Sequence, residues 1–274
     1  EFKDDDIYDE NLAREGYGPA AIDVLPMTLI STMEDWSEID SWYWKEFSKN
    51  TLSSPEIKAE VKKITKDCKN QEEKITVIAR YLYDNCRYVA MNLDEHNYEP
   101  HPAIEVFKNK FGDCKDQTVL LITMLKEIGV KAYPVLLRDE TYGDPSSLLP
   151  DPALFDHLIA GVKMENKIYF LDPLLEGYEF REIPYSLEGS YAFIVDSDKG
   201  KFMQLPFMEL KQKVSFSRSR IKLRASGDAL VETVAVSDRQ SSINSNLGIS
   251  LLLTLLSLST SLSVGSPLSS VPKG

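Results

Sequence analysis

Cysteine, histidine and aspartate residues in the middle of the chain have the types needed for thiol acyl transfer. That chemistry needs a cysteine that reacts as thiolate, a histidine that takes and returns a proton, a group that orients the imidazole, and donors that meet the oxyanion. The sequence has three cysteines and three histidines, which give nine Cys–His pairs. Because such a site is recognised by roles and not by sequence adjacency, local context must choose among the pairs.

Cys114 is predicted to lie in the first turn of a helix. Gly112 permits a tight turn and Asp113 is a favourable N-cap, ahead of an apolar run that begins at Val119. The positive end of a helix favours a thiolate, and its free N–H groups can bind developing negative charge. The charges of Asp113 and Asp116 would partly offset this activation. A first-turn cysteine between charged residues fits the alternative, a buried structural cysteine, poorly.

His157 and Asp172 are predicted to meet across a β-hairpin. His157 opens one apolar strand, Asp172 ends the returning strand, and the turn lies near Glu165. Because alternate residues share a face, the carboxylate could accept from one ring nitrogen and leave the other for the thiol. A lone histidine at a strand start would be a surface residue, whereas the paired aspartate favours a functional role. The sequence therefore predicts a Cys114–His157–Asp172 triad.

The remaining cysteines and histidines fit structural roles better. Cys68 and Cys86 fall on apolar stripes of predicted helices, where a free cysteine behaves as a small hydrophobe, and a disulfide between them is the open alternative. His96 and His101 lie near two acidic residues and could suggest a metal site, but their spacing matches no strong ligand pattern. We therefore predict no metal and no cofactor.

The elements that must position the site change from helices to strands along the chain. Trp36, Ile39, Tyr43 and Phe47 share one helical face, and Ser54-Pro55 is typical of a helix start. Residues 139–153 are rich in Pro, Gly and Ser and are predicted to form a loop. Further helices are predicted at Gln71–Cys86 and Val119–Ile128, with Gly129 as the stop, and strands at Lys131–Arg138, Leu158–Val162, Lys167–Leu171, Tyr191–Val195 and Val214–Leu223.

The motifs around the cysteine, histidine and aspartate resemble the transglutaminase-like superfamily, in particular a bacterial branch with flanking β domains. The resemblance rests on Gly112-Asp113-Cys114-Lys115-Asp116-Gln117 before an apolar helix, on Phe155-Asp156-His157, and on Tyr169-Phe170-Leu171-Asp172-Pro173. It covers about residues 32–200. It implies an α+β, papain-like core in which N-terminal helices pack on an antiparallel β-sheet, with truncated β flanks.

The resemblance also implies a role for each site residue. Cys114 would be the nucleophile, His157 the general base and acid, and Asp172 the group that orients the imidazole. The Cys114 N–H would be one oxyanion donor, and Tyr98 is the candidate for the aromatic donor that transglutaminases place upstream of the cysteine. The alternative for Tyr98 is a packing tyrosine. Many family members carry an aromatic residue directly after the cysteine, whereas this chain has Lys115, which leaves the substrate subsite open.

Composition and resemblance together predict four parts of the chain. The sequence begins with Glu1 and not with Met, so we expect a fragment or a processed product. The apolar run Leu247–Val264 is near the lower length limit of a membrane helix, but its serines and threonines make membrane association the less favoured alternative. The parts are the end of a preceding β domain (1–31), the catalytic core (32–200), the start of a following β domain (201–239), and a Ser- and Leu-rich tail (240–274), uncharged up to residue 272 and predicted to be disordered.

Charge and resemblance together narrow the function. The formal net charge of −12 repels phosphate backbones, so we predict no nucleic-acid partner. We predict acyl transfer on carboxamide or peptide bonds of a protein or peptide substrate through a thioester, with hydrolysis favoured over amine transfer. The alternative is a non-catalytic transglutaminase-like binding module of a larger cell-envelope protein. The resemblance leans toward a periplasmic or cell-envelope location.

Overall fold

The computed structural model describes residue 22 and residues 28–90, 98–176, 180–207, 215–223 and 229–237. The chain divides into two units, Glu1–Met208 and Glu209–Gly274. Most of the predicted N-terminal β segment and all of the predicted C-terminal tail lie outside the described residues. Among the described helices, none is long and apolar enough to cross a membrane.

Helices fill the first half of the described part of unit one, and their side-chain caps explain where they begin. Asp35 accepts from the N–H of Ser37, and Ser54 accepts from that of Ile57, so both satisfy amide groups that a helix start leaves unpaired. The helices are α1 (Trp36–Ser48), α2 (Pro55–Ile64), α3 (Gln71–Asn85), α4 (Ala103–Asn109) and α5 (Cys114–Glu127).

Helix α2 is shorter than the sequence predicts. Its apolar stripe continues to Cys68, but the helix ends at Ile64, and the Thr65 hydroxyl donates to the carbonyl of Val61. Such a bond satisfies a terminal carbonyl and competes with continuation of the helix. The core position predicted for Cys68 is therefore wrong, since it lies half-buried beyond the helix, whereas Cys86 is buried as predicted. Both thiols are free.

A five-stranded antiparallel sheet forms the second half of unit one, in the order β5-β4-β3-β6-β7. Every pair of neighbouring strands in this sheet is antiparallel. The predicted α+β architecture, with helices packed on an antiparallel sheet, is therefore confirmed. Two short strands, β1 (Arg87–Tyr88) and β2 (Phe111–Gly112), pair in parallel before α5. The sheet strands are β3 (Ala132–Arg138), β4 (His157–Met164), β5 (Lys167–Leu171), β6 (Tyr191–Ile194) and β7 (Lys201–Gln204).

Apolar residues cover both faces of this sheet. Leu136 and Leu158 face the helices and join the main core, whereas Val135 and Ile159 face the opposite side and join a second cluster with Leu205. The alternation follows from the two-residue repeat of a strand. Burial on both faces fixes the register of the strands, because a slip of one residue would exchange the two faces.

Helix α5 lies at the centre of the main core. Every residue from Lys115 to Leu125 is buried, and the helix packs on β3 and β4. Its segment 119–125 is apolar apart from Thr123, and a helix surface that is apolar all round requires such a central position. Gly129 adopts a φ of +73° just beyond its end, the left-handed conformation that stops a helix, as predicted.

A long connection leads from β3 to His157 and includes the loop that was predicted at residues 139–153. It contains three short 3-10 turns, at Glu140–Tyr142, Pro145–Ser147 and Pro152–Leu154. Arg138 holds it by donating to the carbonyls of Tyr142, Gly143 and Leu154 at 2.8–3.1 Å. These three hydrogen bonds anchor the loop directly before the strand that carries the histidine.

The second unit is described through one β-hairpin. Strands β8 (Ser215–Leu223) and β9 (Ala229–Ser237) pair antiparallel over nine residue pairs. The strand predicted at Val214–Leu223 corresponds to β8, although Val214 itself lies outside the described residues.

Candidate functional site

Cys114 opens helix α5, and its cap is built from aspartates on either side. Asp113 is the N-cap, and its carboxylate accepts from the N–H groups of Lys115 at 3.1 Å and Asp116 at 3.2 Å. Asp116 reciprocates by accepting from the Asp113 N–H at 3.3 Å, which completes a capping box. The thiol is half-buried. Cys114 therefore lies where the helix dipole and free N–H groups favour negative charge.

Gly112 makes this cap possible. A Cβ atom built at Gly112 would lie 2.5 Å from the Cβ of Asp116 and 2.9 Å from its Oδ2. Any larger residue would therefore displace Asp116 from its capping position. The close approach gives a steric reason for the glycine, in addition to the turn expected from the sequence.

His157 and Asp172 form a close pair. The ring Nε2 lies 2.7 Å from Oδ2 of Asp172, and Oδ1 of the same carboxylate accepts from the Leu174 N–H at 2.8 Å. The Asp172 side chain is 2% exposed and the His157 side chain 23%, so the carboxylate is fixed inside while the ring stays accessible. With Nε2 bound to Asp172, Nδ1 is left for another partner.

The β4–β5 register brings the pair together diagonally. Ala160 pairs with Leu171, so in the same register Ile159 would lie opposite Asp172. His157 is the next residue on the same face as Ile159, and its imidazole reaches diagonally across to Asp172. The two turn residues, Glu165 and Asn166, have φ values of 51° and 62°, as in the tight turns of two-residue hairpins. The sequence placed His157 and Asp172 nearly opposite, and the structure has them offset by one pair along that face.

The structure also brings the His157 ring to Cys114. The ring is close enough to Cys114 for the thiol, together with Asp172, to raise the pKa of the imidazole. Nearby, the hydroxyl of Thr118, one helical turn after Cys114, donates to the carbonyl of Leu158 at 3.1 Å. This buried bond connects helix α5, which Cys114 opens, to the strand that carries His157, and so helps to set the spacing between thiol and imidazole.

The pKa of His157 reflects these surroundings. Burial disfavours the charged ring, but the hydrogen bonds to Asp172 and Cys114, and the negative charge of both, outweigh that effect and raise the pKa to about 10. The imidazole is therefore protonated at neutral pH. A cationic ring beside a thiol favours the thiolate, the reactive form for acyl transfer.

His101, a candidate metal ligand in the sequence, lies against the cap of helix α5. Its main-chain N–H donates to Oδ1 of Asp116 at 2.8 Å, and its Nδ1 lies 3.1 Å from the same oxygen. Asp116 is 1% exposed, so this contact compensates a buried carboxylate. His96 lies outside the described residues, within which no group of three or more metal-ligating side chains occurs.

Tyr98, the predicted oxyanion donor, packs against Trp42 with ring centroids 5.6 Å apart. Burial and the charge of Asp151 raise the pKa of its phenol. Tyr88 has a different neighbourhood: it pairs with Gly112 across β1 and β2, and burial and the charges of Cys114 and Asp113 raise the pKa of its hydroxyl. Tyr88 as a whole is 53% exposed.

Tyr43 is a second aromatic residue near Cys114 that sequence reasoning did not assign to the site. It was assigned only to the buried face of α1, where it is 2% exposed. Burial and the charges of Cys114, Asp113 and Asp116 raise its pKa well above 10, so its hydroxyl stays protonated. No role was predicted for Tyr88; its relation to the cysteine motif comes from the pairing of β1 with β2, which ends at Gly112.

A cavity of about 300 Å³ adjoins the far side of the pair. It lies between α3 and the end of β5, and Asp172, Arg80 and Leu175 are among its lining residues. Cys114 and His157 do not line it. The cavity therefore borders the Asp172 carboxylate and not the Cys114 thiol.

Comparison with protein families identifies one match. Residues 58–166 match the model of the transglutaminase-like superfamily. The matched segment runs from α2 to the β4–β5 turn and includes Cys114 and His157, with Asp172 six residues beyond its end. No curated protein sequence matches the chain.

Three solved structures are similar to parts of the chain. A putative protease from Parabacteroides distasonis is 16% identical, with a TM-score of 0.47, over 61% of this chain and 31% of that one. A putative cysteine protease from Cytophaga hutchinsonii is 10% identical, with a TM-score of 0.35, over 80% and 62% of the two chains. Arylamine N-acetyltransferase C from Bacillus anthracis is 15% identical, with a TM-score of 0.29, over 72% and 97%. The chain thus spans less than two thirds of the length of the first two proteins.

Proposed function

This chain carries a core of the transglutaminase-like superfamily at residues 58–166, and from that premise we propose that it is a thiol-dependent acyl-transfer enzyme. The observation that carries the proposal is the meeting of the Cys114 thiol with the buried His157–Asp172 pair at the start of α5. The substrate is a carboxamide or peptide bond of a protein or peptide. The three side chains supply the nucleophile, the proton carrier and the orienting charge.

In the first half-reaction, the Cys114 sulfur attacks the carbonyl carbon. A C–S bond forms as the carbonyl electron pair moves to oxygen, and the N–H of Cys114 at the helix start stabilises the oxyanion. The protonated His157 then gives its proton to the nitrogen as the C–N bond breaks. Ammonia or an amine leaves, and a thioester remains on Cys114.

In the second half-reaction, water attacks the thioester. His157 takes one proton from the water, the C–S bond breaks, and a carboxylic acid leaves with Cys114 again present as thiolate. A primary amine in place of water would give a new amide. The resemblance to the bacterial branch favours hydrolysis over amine transfer.

Asp172 orients the ring in both steps. Its carboxylate is fixed by the Leu174 N–H and binds Nε2, so Nδ1 is the nitrogen that faces the thiol and the leaving group. A buried carboxylate also stabilises the imidazolium without taking its proton. This role needs the charge of Asp172 and not only its shape.

A tyrosine hydroxyl is the second oxyanion donor in this proposal. Tyr88 is the better candidate, because it lies in the electrostatic range of Cys114 and next to the strand that leads into α5. Tyr98, the choice from sequence, has Asp151 as its charged neighbour and packs against Trp42.

An assay on the full chain tests the proposal. The protein is incubated with a library of peptides that contain glutamine, with and without a fluorescent primary amine, and ammonia release, cleavage and amine incorporation are measured by mass spectrometry. Cys114→Ala should abolish every product, whereas Cys68→Ala, which removes another half-buried free thiol, should not. Peptide binding without any product in the wild-type protein would favour the non-catalytic binding module.

A further inference from the structure

Lys115 directly follows the nucleophile, yet its side chain is only 6% exposed. Its ammonium group forms an ion pair with Oδ2 of Asp113, whose side chain is 3% exposed. Oδ1 of the same carboxylate accepts the N–H of Lys115. Lysine is almost never fully buried unless it is paired, so this arrangement is a built feature of the helix start and not a solvated surface charge.

Charged and titratable groups approach the Cys114 sulfur from several elements. The imidazolium favours the thiolate, whereas each nearby carboxylate disfavours it. His157, backed by Asp172 on the sheet, interacts with Cys114, as do Tyr43 on α1 and Tyr88 on β1. Asp113, Lys115 and Asp116 lie on or next to the helix that Cys114 opens, and His101 in the preceding loop contacts Asp116.

The two cap aspartates present a conflict. Carboxylates at the start of a helix stabilise it, but a negative charge one residue from a thiolate opposes ionisation of the sulfur. Asp116 has the His101 contact and two main-chain donors to compensate its charge. Asp113 has Lys115, whose ammonium carries a full opposite charge.

We infer that Lys115 is a positioning residue that cancels the charge of the Asp113 cap, so that α5 keeps its cap without loss of thiolate at Cys114. The inference rests on the proposed function, because it presumes that Cys114 reacts as thiolate. Lys115 acts through Asp113 and touches no reacting atom. The residue that follows the nucleophile, aromatic in many proteins that this chain resembles, here has an electrostatic role.

The test is the pH profile of Cys114 alkylation by iodoacetamide in the full chain, followed at the Cys114 peptide by mass spectrometry. Lys115→Met leaves the Asp113 charge uncompensated, so the midpoint should rise by about one pH unit. Asp113→Asn keeps a good cap but leaves the lysine charge, so the midpoint should fall. The double variant has neither charge and should return close to the wild-type midpoint.

Opposite shifts in the single variants and their cancellation in the double variant are the signature of charge compensation. Unchanged midpoints, or shifts of the same sign, would overturn the inference. If Lys115→Met does not fold, Asp113→Asn is compared with the double variant, whose midpoint should be about one unit higher, and equal midpoints overturn the inference. Lys115→Arg should keep the wild-type midpoint, because it retains the charge.

Lys126→Met is the matched control. It removes a lysine from the other end of α5, where the ammonium donates to the Thr51 hydroxyl at 3.1 Å, and the midpoint should not move. Failure of the proposed function would look different. In that case the wild-type midpoint is that of an ordinary thiol and does not respond to His157→Ala, whereas a low wild-type midpoint that ignores Lys115→Met overturns the inference alone.

Discussion

The Nε2 atom of His157 lies 2.7 Å from Oδ2 of Asp172, a carboxylate whose side chain is 2% exposed. Two consequences follow from this contact. It assigns Nδ1 to the thiol, and it places a negative charge behind the ring where water cannot screen it. Loss of the Asp172 charge should therefore lower the reactivity of the Cys114 sulfur.

We expect Asp172→Asn to lower kcat by about two to four orders of magnitude. Asparagine keeps the shape and can still accept from the Leu174 N–H, but it neither stabilises the imidazolium nor fixes the tautomer. The measurement is steady-state kinetics on a peptide identified by the library assay. Asp84→Asn, which changes an exposed aspartate at the same cavity, should leave kcat near the wild-type value. Equal losses in both variants would contradict the orienting role.

The three thiols should differ sharply in alkylation. Cys114 should react with iodoacetamide well below pH 7, because a protonated ring lies beside it. Cys86 should be nearly inert, because burial raises the pKa of its thiol. Site-resolved mass spectrometry measures all three at once. His157→Ala should remove the excess reactivity of Cys114 and leave Cys68 unchanged, whereas a Cys114 that reacts only above about pH 8 in both proteins contradicts an activated thiol.

Stability should depend on pH through His157. Its pKa is about 10 in the folded protein and about 6.5 in an unfolded chain, so the ring binds more protons in the folded state between these values. The stabilisation from the ring is complete below about pH 6.5 and is lost as the pH rises through 10. A thiol that is ionised in the folded protein keeps its proton in an unfolded chain up to about pH 8.5, which offsets the proton gained by the ring below that pH. Urea unfolding from about pH 8.5 to pH 10 should therefore show a smaller decline in the free energy of unfolding in His157→Gln than in the wild-type protein. Parallel curves would show that the ring gains no proton affinity on folding.

Gly112→Ala should destabilise the start of helix α5, where Cys114 lies. The added Cβ would lie 2.5 Å from the Cβ of Asp116, so either the cap or the strand before it must move. We expect a loss of about 1–3 kcal/mol in the free energy of unfolding, together with a lower kcat. Gly129→Ala at the other end of α5 is the control: its Cβ meets nothing within 4 Å, but its φ of +73° costs about 1 kcal/mol. That variant should lose stability and keep its kcat.

The two candidate oxyanion donors can be separated by removal of single hydroxyls. Tyr88→Phe should lower kcat by about 100-fold, the usual effect of losing one oxyanion donor, with little change in KM. Tyr98→Phe should cost much less, because its ring packing with Trp42 is retained. A larger loss in Tyr98→Phe would make Tyr98 the donor, as the sequence alone predicted.

The sequence predicted those helices and strands that are specified by local patterns, namely apolar periodicity, capping residues and short turns. The stripe from Trp36 to Phe47, the Ser54-Pro55 start and the Gly129 stop all follow from helix geometry and capping. The hairpin that carries His157 follows from two apolar runs around a short turn. These local signals were enough to nominate three side chains that the fold brings together.

Other features depend on contacts between distant segments and had no local signal. Helix α4 is only seven residues long, and its N-cap residue, Pro102, provides no side-chain cap, so its sequence pattern is too short to predict a helix. The end of α2 depends on one Thr65 hydroxyl bond, which overrides an apolar stripe that continues to Cys68. The proximity of Tyr88 to Cys114 requires the parallel pairing of β1 with β2, which only the fold supplies.

The turn at Glu165 and Asn166 matters far beyond its own surface position. Both residues adopt left-handed φ values, so the connection holds two residues with no slack. An insertion or deletion of one residue here would shift the returning strand by one place and move Asp172 to the other side of the sheet. The long β3–β4 loop could absorb such a change in length, whereas the same change at this turn would disable the site. Homologues with an intact site should therefore keep the spacing of 15 residues between His157 and Asp172.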